Sequence, residues 1–364
     1  MKIGNKLIIM IIGLNLIGAG ILVGTILRIS QKELSTLVTN EVINLAGNNA
    51  QKIAIWLNKY MDAARTAANF MEQYQEIESS QRRNLYNLLV RTLLEANPET
   101  AAAGSCWEPN ALDGMDRQYA STPGTDDSGR FIPYWSRTSR GISLSSLTAY
   151  ETSGAGNYYV IAKQTGQETL IEPYWYNIDG KDQLITSITA PIKNQGRFVG
   201  AMIIDISIDI IQKQVQEIVP YEGSIAAVFS NGGLVSGHFD PARIGKSMME
   251  TEQDTIGSYL PELIDAIRSG RQYTFINTIP EKGTMQFFCV PITVGTTTTP
   301  WSLMIGIPTH ITNTPIYRML IISAVISGVM VILITLAAVL MARSLSRPLA
   351  RMVTVLKDVG TGDL

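Results

Sequence analysis

Two strongly apolar runs of the chain also contain no charged residue, residues 7–27 and residues 319–342. Each is long enough to cross a hydrocarbon core of about 30 Å as a helix rising about 1.5 Å per residue. Lys2 and Lys6 precede the first run, and Arg343, Arg347 and Arg351 follow the second. This excess of positive charge predicts both termini in the cytoplasm and the chain from residue 28 to residue 317 outside. A cleaved secretory leader is the alternative reading of the first run. Its length and the lack of a small-x-small site before the next helix favour an uncleaved anchor.

Between the spans the pattern changes twice. Residues 29–74 contain no proline and place Leu34, Leu37, Val38, Val42, Leu45, Ile53, Trp56, Leu57 and Tyr60 mostly three and four apart. That spacing predicts one long amphipathic helix, too long for a single module, which runs beside several modules or pairs with its own copy. A second helix is predicted over residues 80–96, ending before Pro98, with Leu85, Leu88, Leu89 and Leu93 on one face. Beyond Pro98, short apolar runs broken by Gly, Pro, Asn and Asp predict antiparallel strands at residues 101–107, 158–163, 183–192 and 197–206, with a hairpin turn at Lys193–Gly196. Residues 189–208 find an echo in residues 289–308, and residues 158–174 a fainter one in residues 224–239. Two copies of one small sheet unit hung on one long helix account for this repetition.

A formal net charge of −2 gives no reason to expect nucleic acid as a partner. Cys106 and Cys289 lie far apart in sequence and are expected as two buried free thiols. His238 and His310 are the only histidines and neither belongs to a Cys/His cluster, so no metal is expected. The chain has no Gly-x-Ser-x-Gly elbow and no phosphate-binding Gly-rich loop, so neither a catalytic residue nor a cofactor is predicted.

Binding chemistry concentrates in Gly129–Arg137, "GRFIPYWSR". Tyr134 and Trp135 offer aromatic faces, and Arg130 or Arg137 offers a donor fork. Asp205 ends the apolar strand "VGAMIID", where a charge either caps the next segment or grips a ligand donor. Tyr174 and Tyr176 in "EPYWYNIDG" form a second aromatic cluster with Trp175, and Tyr158 and Tyr159 a third. For each tyrosine a core position with its hydroxyl at the edge is the plainer alternative.

The order of long helix, sheet module with "EPYWY" and "GAMIIDIS", second smaller sheet module and second span resembles the double Cache sensor of bacterial chemoreceptors and sensor kinases. Residues 344–364 look like the first helix of a HAMP relay, with an Arg347-Pro348 entry and a Gly362-Asp363-Leu364 exit. The resemblance implies an α+β fold with two PAS-like antiparallel-sheet modules flanked by two transmembrane helices. It divides the chain into a cytoplasmic N-terminus (residues 1–6), a first span (7–27), a sensor body (28–317) with distal (about 75–215) and proximal (about 216–308) modules, a second span (319–342) and the start of HAMP (343–364). It also implies a non-enzymatic chemoreceptor in the inner membrane, acting as a homodimer. A small extracellular ligand would bind in the distal module, at Arg130, Tyr134, Trp135, Tyr158, Tyr159, Tyr174, Tyr176 and Asp205. A signalling domain beyond Leu364 would engage a chemotaxis kinase and adaptor, and a histidine kinase or nucleotide cyclase with the same input is the alternative. Amino-acid sensors that resemble this chain carry an aspartate where Tyr176 stands, and an arginine two positions before a Trp-Tyr pair. Here the pair is reversed and Arg130 sits four positions before Tyr134. A pocket with one carboxylate, one arginine and many rings suits a flat, nitrogen-rich heterocycle of the purine type, with amines, amino acids and organic acids as alternatives.

Overall fold

A computed structural model describes residues 3–280 and 282–360. The chain divides into two compact units, one from Met1–Glu41 together with His310–Leu364 and one from Val42–Thr309. The first unit contains the N-terminal part of helix α1 (Ile3–Met71) and nearly all of helix α7 (Thr309–Gly360). Among the described residues, one segment, Thr309–Met341, is long and apolar enough to cross a membrane. The other expected span, residues 7–27, is helical within α1, but many of its side chains lie outside the described residues, as does that of Arg347 at the expected HAMP entry. The expected Gly362–Leu364 exit also lies outside the described residues.

In the second unit, α1 buries Val42, Ala46, Ala50, Ile53, Leu57, Met61, Ala64, Ala68 and Met71, a stripe recurring at three and four. The small residues let neighbouring elements approach closely, and each large buried side chain stabilises by about 1.5–3 kcal/mol. Helix α2 (Ser79–Ala96) follows, then strands β1 (Thr100–Trp107), β2 (Pro133–Thr138) and β3 (Gly141–Ser146). Helix α3 (Asn157–Thr165) leads through β4 (Thr169–Leu170) to β5 (Tyr174–Ile178), β6 (Lys181–Asn194) and β7 (Arg197–Ser207). These strands form one antiparallel sheet in the order β3-β2-β1-β7-β6-β4, with β5 also on β6. The β6–β7 turn has positive φ at Gln195 (49°) and Gly196 (79°), the backbone of a two-residue type I′ hairpin.

Helix α4 (Ile208–Gln216) leads to a second sheet made of β8 (Ile225–Phe229), β9 (Val235–His238), β10 (Tyr273–Ile279), β11 (Gly283–Ile292) and β12 (Trp301–Pro308). Helices α5 (Met248–Thr251) and α6 (Leu260–Arg268) fall between β9 and β10. The order β10-β11-β12-β8-β9 corresponds to β5-β6-β7-β1-β2, so the two sheets repeat one topology.

Two expectations change. Residues 158–163 are helical, not a strand, because α3 lies across the sheet and buries Tyr158, Tyr159 and Ala162, and it ends at Gly166 with φ of 62°. The counterpart of β8–β9 is therefore β1–β2, not residues 158–174. Helix α1 does run beside both modules. Lys193 N donates to Glu72 at 2.9 Å on the first, and Gly295 N donates to Asn58 Oδ1 at 2.7 Å on the second. Cys106 and Cys289 are free and buried.

Candidate functional site

Strand alternation selects which residues meet. Register aligns Gly104 of β1 with Tyr134 of β2, Ala102 with Asp205 of β7, and Asp205 with Ser187 of β6. These residues share the sheet face covered by α3, which adds Tyr158, while β5 adds Tyr174 and Tyr176. Tyr134 Oη donates to Asp205 Oδ2 at 2.7 Å and Ser187 Oγ donates to Oδ1 at 2.6 Å. Tyr174 Oη lies 2.7 Å from Ser187 Oγ; since that hydroxyl's proton goes to Asp205, the phenol is the donor. Tyr176 Oη accepts from Thr148 N and Oγ1, both at 3.2 Å, and Tyr158 Oη donates to Thr148 O at 2.6 Å.

The four rings form a box. Tyr134 meets Tyr176 edge-on at 5.4 Å, Tyr174 meets Tyr176 edge-on at 6.0 Å, and Tyr158 faces Tyr174 at 6.3 Å with 19° between planes. Asp205 is 2 % exposed, and among the described residues its partners are hydroxyls rather than a cation. Burial pushes its carboxyl up to about 6, against the pull of Ser187 and Tyr134. Burial also raises Tyr134, Tyr158 and Tyr174, which keeps these phenols neutral and donating.

Arg130 and Tyr159 belong to a neighbouring group instead. Arg130 Nη1 donates to Glu151 at 2.6 Å, Nη2 donates to Tyr159 Oη at 2.5 Å, and Nε donates to Trp107 O. Its guanidinium stacks on Tyr150 and Tyr159 at 4.7 and 5.0 Å. Its fork is filled by the protein, so the expected donor to a ligand is absent from the Asp205 group. Arg137 is likewise engaged, donating to Thr100 O at 3.0 Å and to Leu94 O at 2.5 Å near the end of α2. Trp135 points to the other sheet face, where its Nε1 donates to Asn87 at 2.7 Å and Arg91 stacks on its ring at 5.3 Å. Trp175 is 65 % exposed. Thus Tyr134, Tyr158, Tyr174, Tyr176 and Asp205 come together, whereas Arg130, Tyr159 and Trp135 do not join them. Ser187 and Thr148 were not anticipated. Ser187 was not open to a simple count from the hairpin: the turn register alone sets Thr186 opposite Asp205, and a bulge between Ile192 and Lys193 shifts the pairing by one residue to Ser187.

The site is closed over, and two clefts lie elsewhere. One of about 460 Å³ is lined by Arg65, Glu72, Glu168, Lys193 and Thr296, and one of about 590 Å³ lies between α1 and α2. Neither contains a residue of the tyrosine box. A buried carboxylate without a counter-cation is the stronger indication of binding chemistry than an open surface cleft.

Residues 85–213, which hold every residue of this box, match the methyl-accepting chemotaxis protein-like first PDC sensor domain. Over that span the chain is similar to the sensor domains of chemoreceptors. It is 26 % identical to the methyl-accepting chemotaxis protein TlpQ of Pseudomonas aeruginosa across 84 % of this chain and 46 % of that protein, so it spans about half the length of that relative. A solved structure described as the extracellular domain of histidine kinase mmHK1S-Z3 has a TM-score of 0.68 at 26 % identity, covering 78 % of this chain and 98 % of that one. The periplasmic sensory domain of the Campylobacter jejuni chemoreceptor Tlp1 has a TM-score of 0.60 at 12 % identity, covering 76 % and 99 %. That last likeness concerns fold alone, and it extends through both sheet modules of the sensor.

Proposed function

We propose that the chain is the sensing part of a transmembrane receptor that binds a small organic cation in the Asp205 box. The observation that carries this reading is a fully buried carboxylate held by Ser187 and Tyr134 hydroxyls inside four tyrosine rings, while the nearby Arg130 is saturated by other groups. An ammonium ligand would supply the missing counter-charge, and the ring faces would attract it further. Entry would require movement of α3 and of the exposed stretch 148–155 before it. A second reading, a neutral nitrogen-rich heterocycle of the purine type, is favoured by the near-parallel Tyr158 and Tyr174 rings. Its arginine contact, however, has no donor in the box.

The receptor is proposed to lie in the inner membrane, anchored by residues 7–27 and 319–342, with residues 28–317 exterior. It would signal as a parallel homodimer through a HAMP-like segment after the second span, to a chemotaxis kinase and its adaptor, without catalysis of its own. Similarity to TlpQ supports the chemotaxis output. The likeness to a histidine-kinase extracellular domain supports a kinase output as the second reading.

Calorimetry on the full chain in nanodiscs, with n-butylamine, tetramethylammonium, adenine and acetate as probes, tests the ligand class. Binding of the two cations, lost in Asp205→Asn, is expected. Binding of acetate or adenine with both cations silent would overturn the cation reading.

A further inference from the structure

Two glutamates on one short segment tie the tyrosine box to the second sheet. The segment leaves α3 at Thr165, passes through β4 and enters β5 at Tyr174, so it connects two elements that carry box tyrosines. Glu172 accepts hydrogen bonds from Ser230 Oγ and from Gly232 N at 2.8 Å, both in the β8–β9 turn. Glu168 accepts from Thr296 N at 2.9 Å and Thr296 Oγ1 at 3.0 Å, in the β11–β12 loop, and from Arg65 Nη2 of α1 at 2.9 Å. Both contacts are close enough that an added methyl group would force the glutamate carboxylate to shift. A Cβ on Gly232 would lie 2.8 Å from Glu172 Oε2, and one on Gly295 would lie 2.5 Å from Glu168 Oε2.

Between the two glutamates the segment is pinned to the box itself. Ile171 N donates to Ser187 O at 2.9 Å, and Thr186 Oγ1 donates to Ile171 O at 2.6 Å. Ser187 is the residue whose hydroxyl holds Asp205 and meets Tyr174. Buried Pro173, with its fixed φ, separates Glu172 from Tyr174 and stiffens that link. We propose that Glu168 and Glu172 are positioning residues that transmit the state of the Asp205 box to the β8–β9 turn and the β11–β12 loop. The proposal rests on the reading of that box as the ligand site. Hydrogen bonds from backbone N–H and hydroxyl donors to carboxylates are strong and depend steeply on geometry. A shift of Ser187 as its carboxylate partner gains or loses charge is therefore felt at both loops. The β11–β12 loop feeds β12, which ends at Pro308, the residue before α7.

Hydrogen exchange on the full chain in nanodiscs, read at the amides of Gly232 and Thr296, tests this without any ligand. In the wild-type background, Asp205→Asn is expected to change their exchange rates about fivefold, the scale of one hydrogen bond. In a Glu168→Gln, Glu172→Gln background the same substitution is expected to change them less than about twofold, the non-additivity of coupled sites. Ser187→Ala serves as a second box variant, should Asp205→Asn fold poorly. Equal changes in both backgrounds, or none in the wild type, would overturn the relay. n-Butylamine calorimetry reports separately: exchange coupling without amine binding removes the cation reading, and amine binding without exchange coupling removes only the relay.

Discussion

Asp205 of the first sheet module and Glu252 of the second are both buried carboxylates, and the two are solvated in opposite ways. In the second module Glu252 is 0 % exposed and lies 3.2 Å from Arg243 Nη1 and 3.4 Å from His238 Nε2. Those partners hold its carboxyl below the usual range despite burial. In the first module Asp205 is 2 % exposed and has hydroxyl partners alone, and its carboxyl is pushed up to about 6. The two modules share one strand order, so the difference is chemical rather than topological. A buried carboxylate with its own counter-cation has no electrostatic need for a ligand, whereas one with hydroxyl partners alone gains when a cation arrives.

The largest expected effect separates the two carboxylates by sign. Glu252→Gln at pH 7.5 is expected to destabilise by about 3 kcal/mol, because it breaks the ion pair between this buried carboxylate and Arg243. Asp205→Asn is expected to be neutral or stabilising, which chemical denaturation of both variants checks. The pH dependence follows from the same contrast. The folded pKa of Asp205 lies above its ordinary 3.8, so the folded state binds its proton more tightly than the unfolded state. Stability is then highest below about pH 4 as far as this group is concerned, and about 3 kcal/mol is lost as pH rises to and beyond 6. Asp205→Asn removes that slope. Glu252, with its lowered pKa, contributes stability that is present above the ordinary carboxyl range and lost as pH falls through its folded pKa.

Affinity for n-butylamine is expected to fall about 30- to 100-fold in Asp205→Asn, while Glu252→Gln leaves it within about threefold, by calorimetry. Tyr174→Phe, which removes one hydroxyl beside Ser187, is expected to cost about fivefold, or about 1 kcal/mol. Trp135→Ala is expected to leave affinity within about twofold, because this ring packs on α2 across the sheet. A large loss there would move the site to the other face.

Much of this arrangement was legible in the chain. The apolar stripe of α1 from Val42 onward, the helix over residues 80–96, strands β1, β6 and β7 and the turn at Gln195-Gly196 all follow from local period and turn chemistry, whereas Leu37 of the expected stripe is exposed. Asp205 stood out as a charge ending an apolar strand. The strand expectation for residues 158–163 failed because "YYVIA" is rich in aromatic and β-branched residues, and only packing across the sheet makes it a helix. Gly166, nine positions after Asn157, was the available helix-ending signal. Trp135 was misplaced although alternation along β2 sends it opposite to Tyr134, a period-two argument that needed no structure. The saturation of Arg130 was out of reach, since Glu108, Glu151 and Tyr159 are non-local partners brought together by the fold.

The most direct test of the central claim is proton release on cation binding. Tetramethylammonium binding to the full chain at pH 6, measured by calorimetry in buffers of different ionisation enthalpy, reads the protonation of Asp205. Release of about half a proton per ligand is expected from a carboxyl with a pKa near 6, and none from Asp205→Asn. Cation binding with no proton release, or with the same release in Asp205→Asn, would contradict the account.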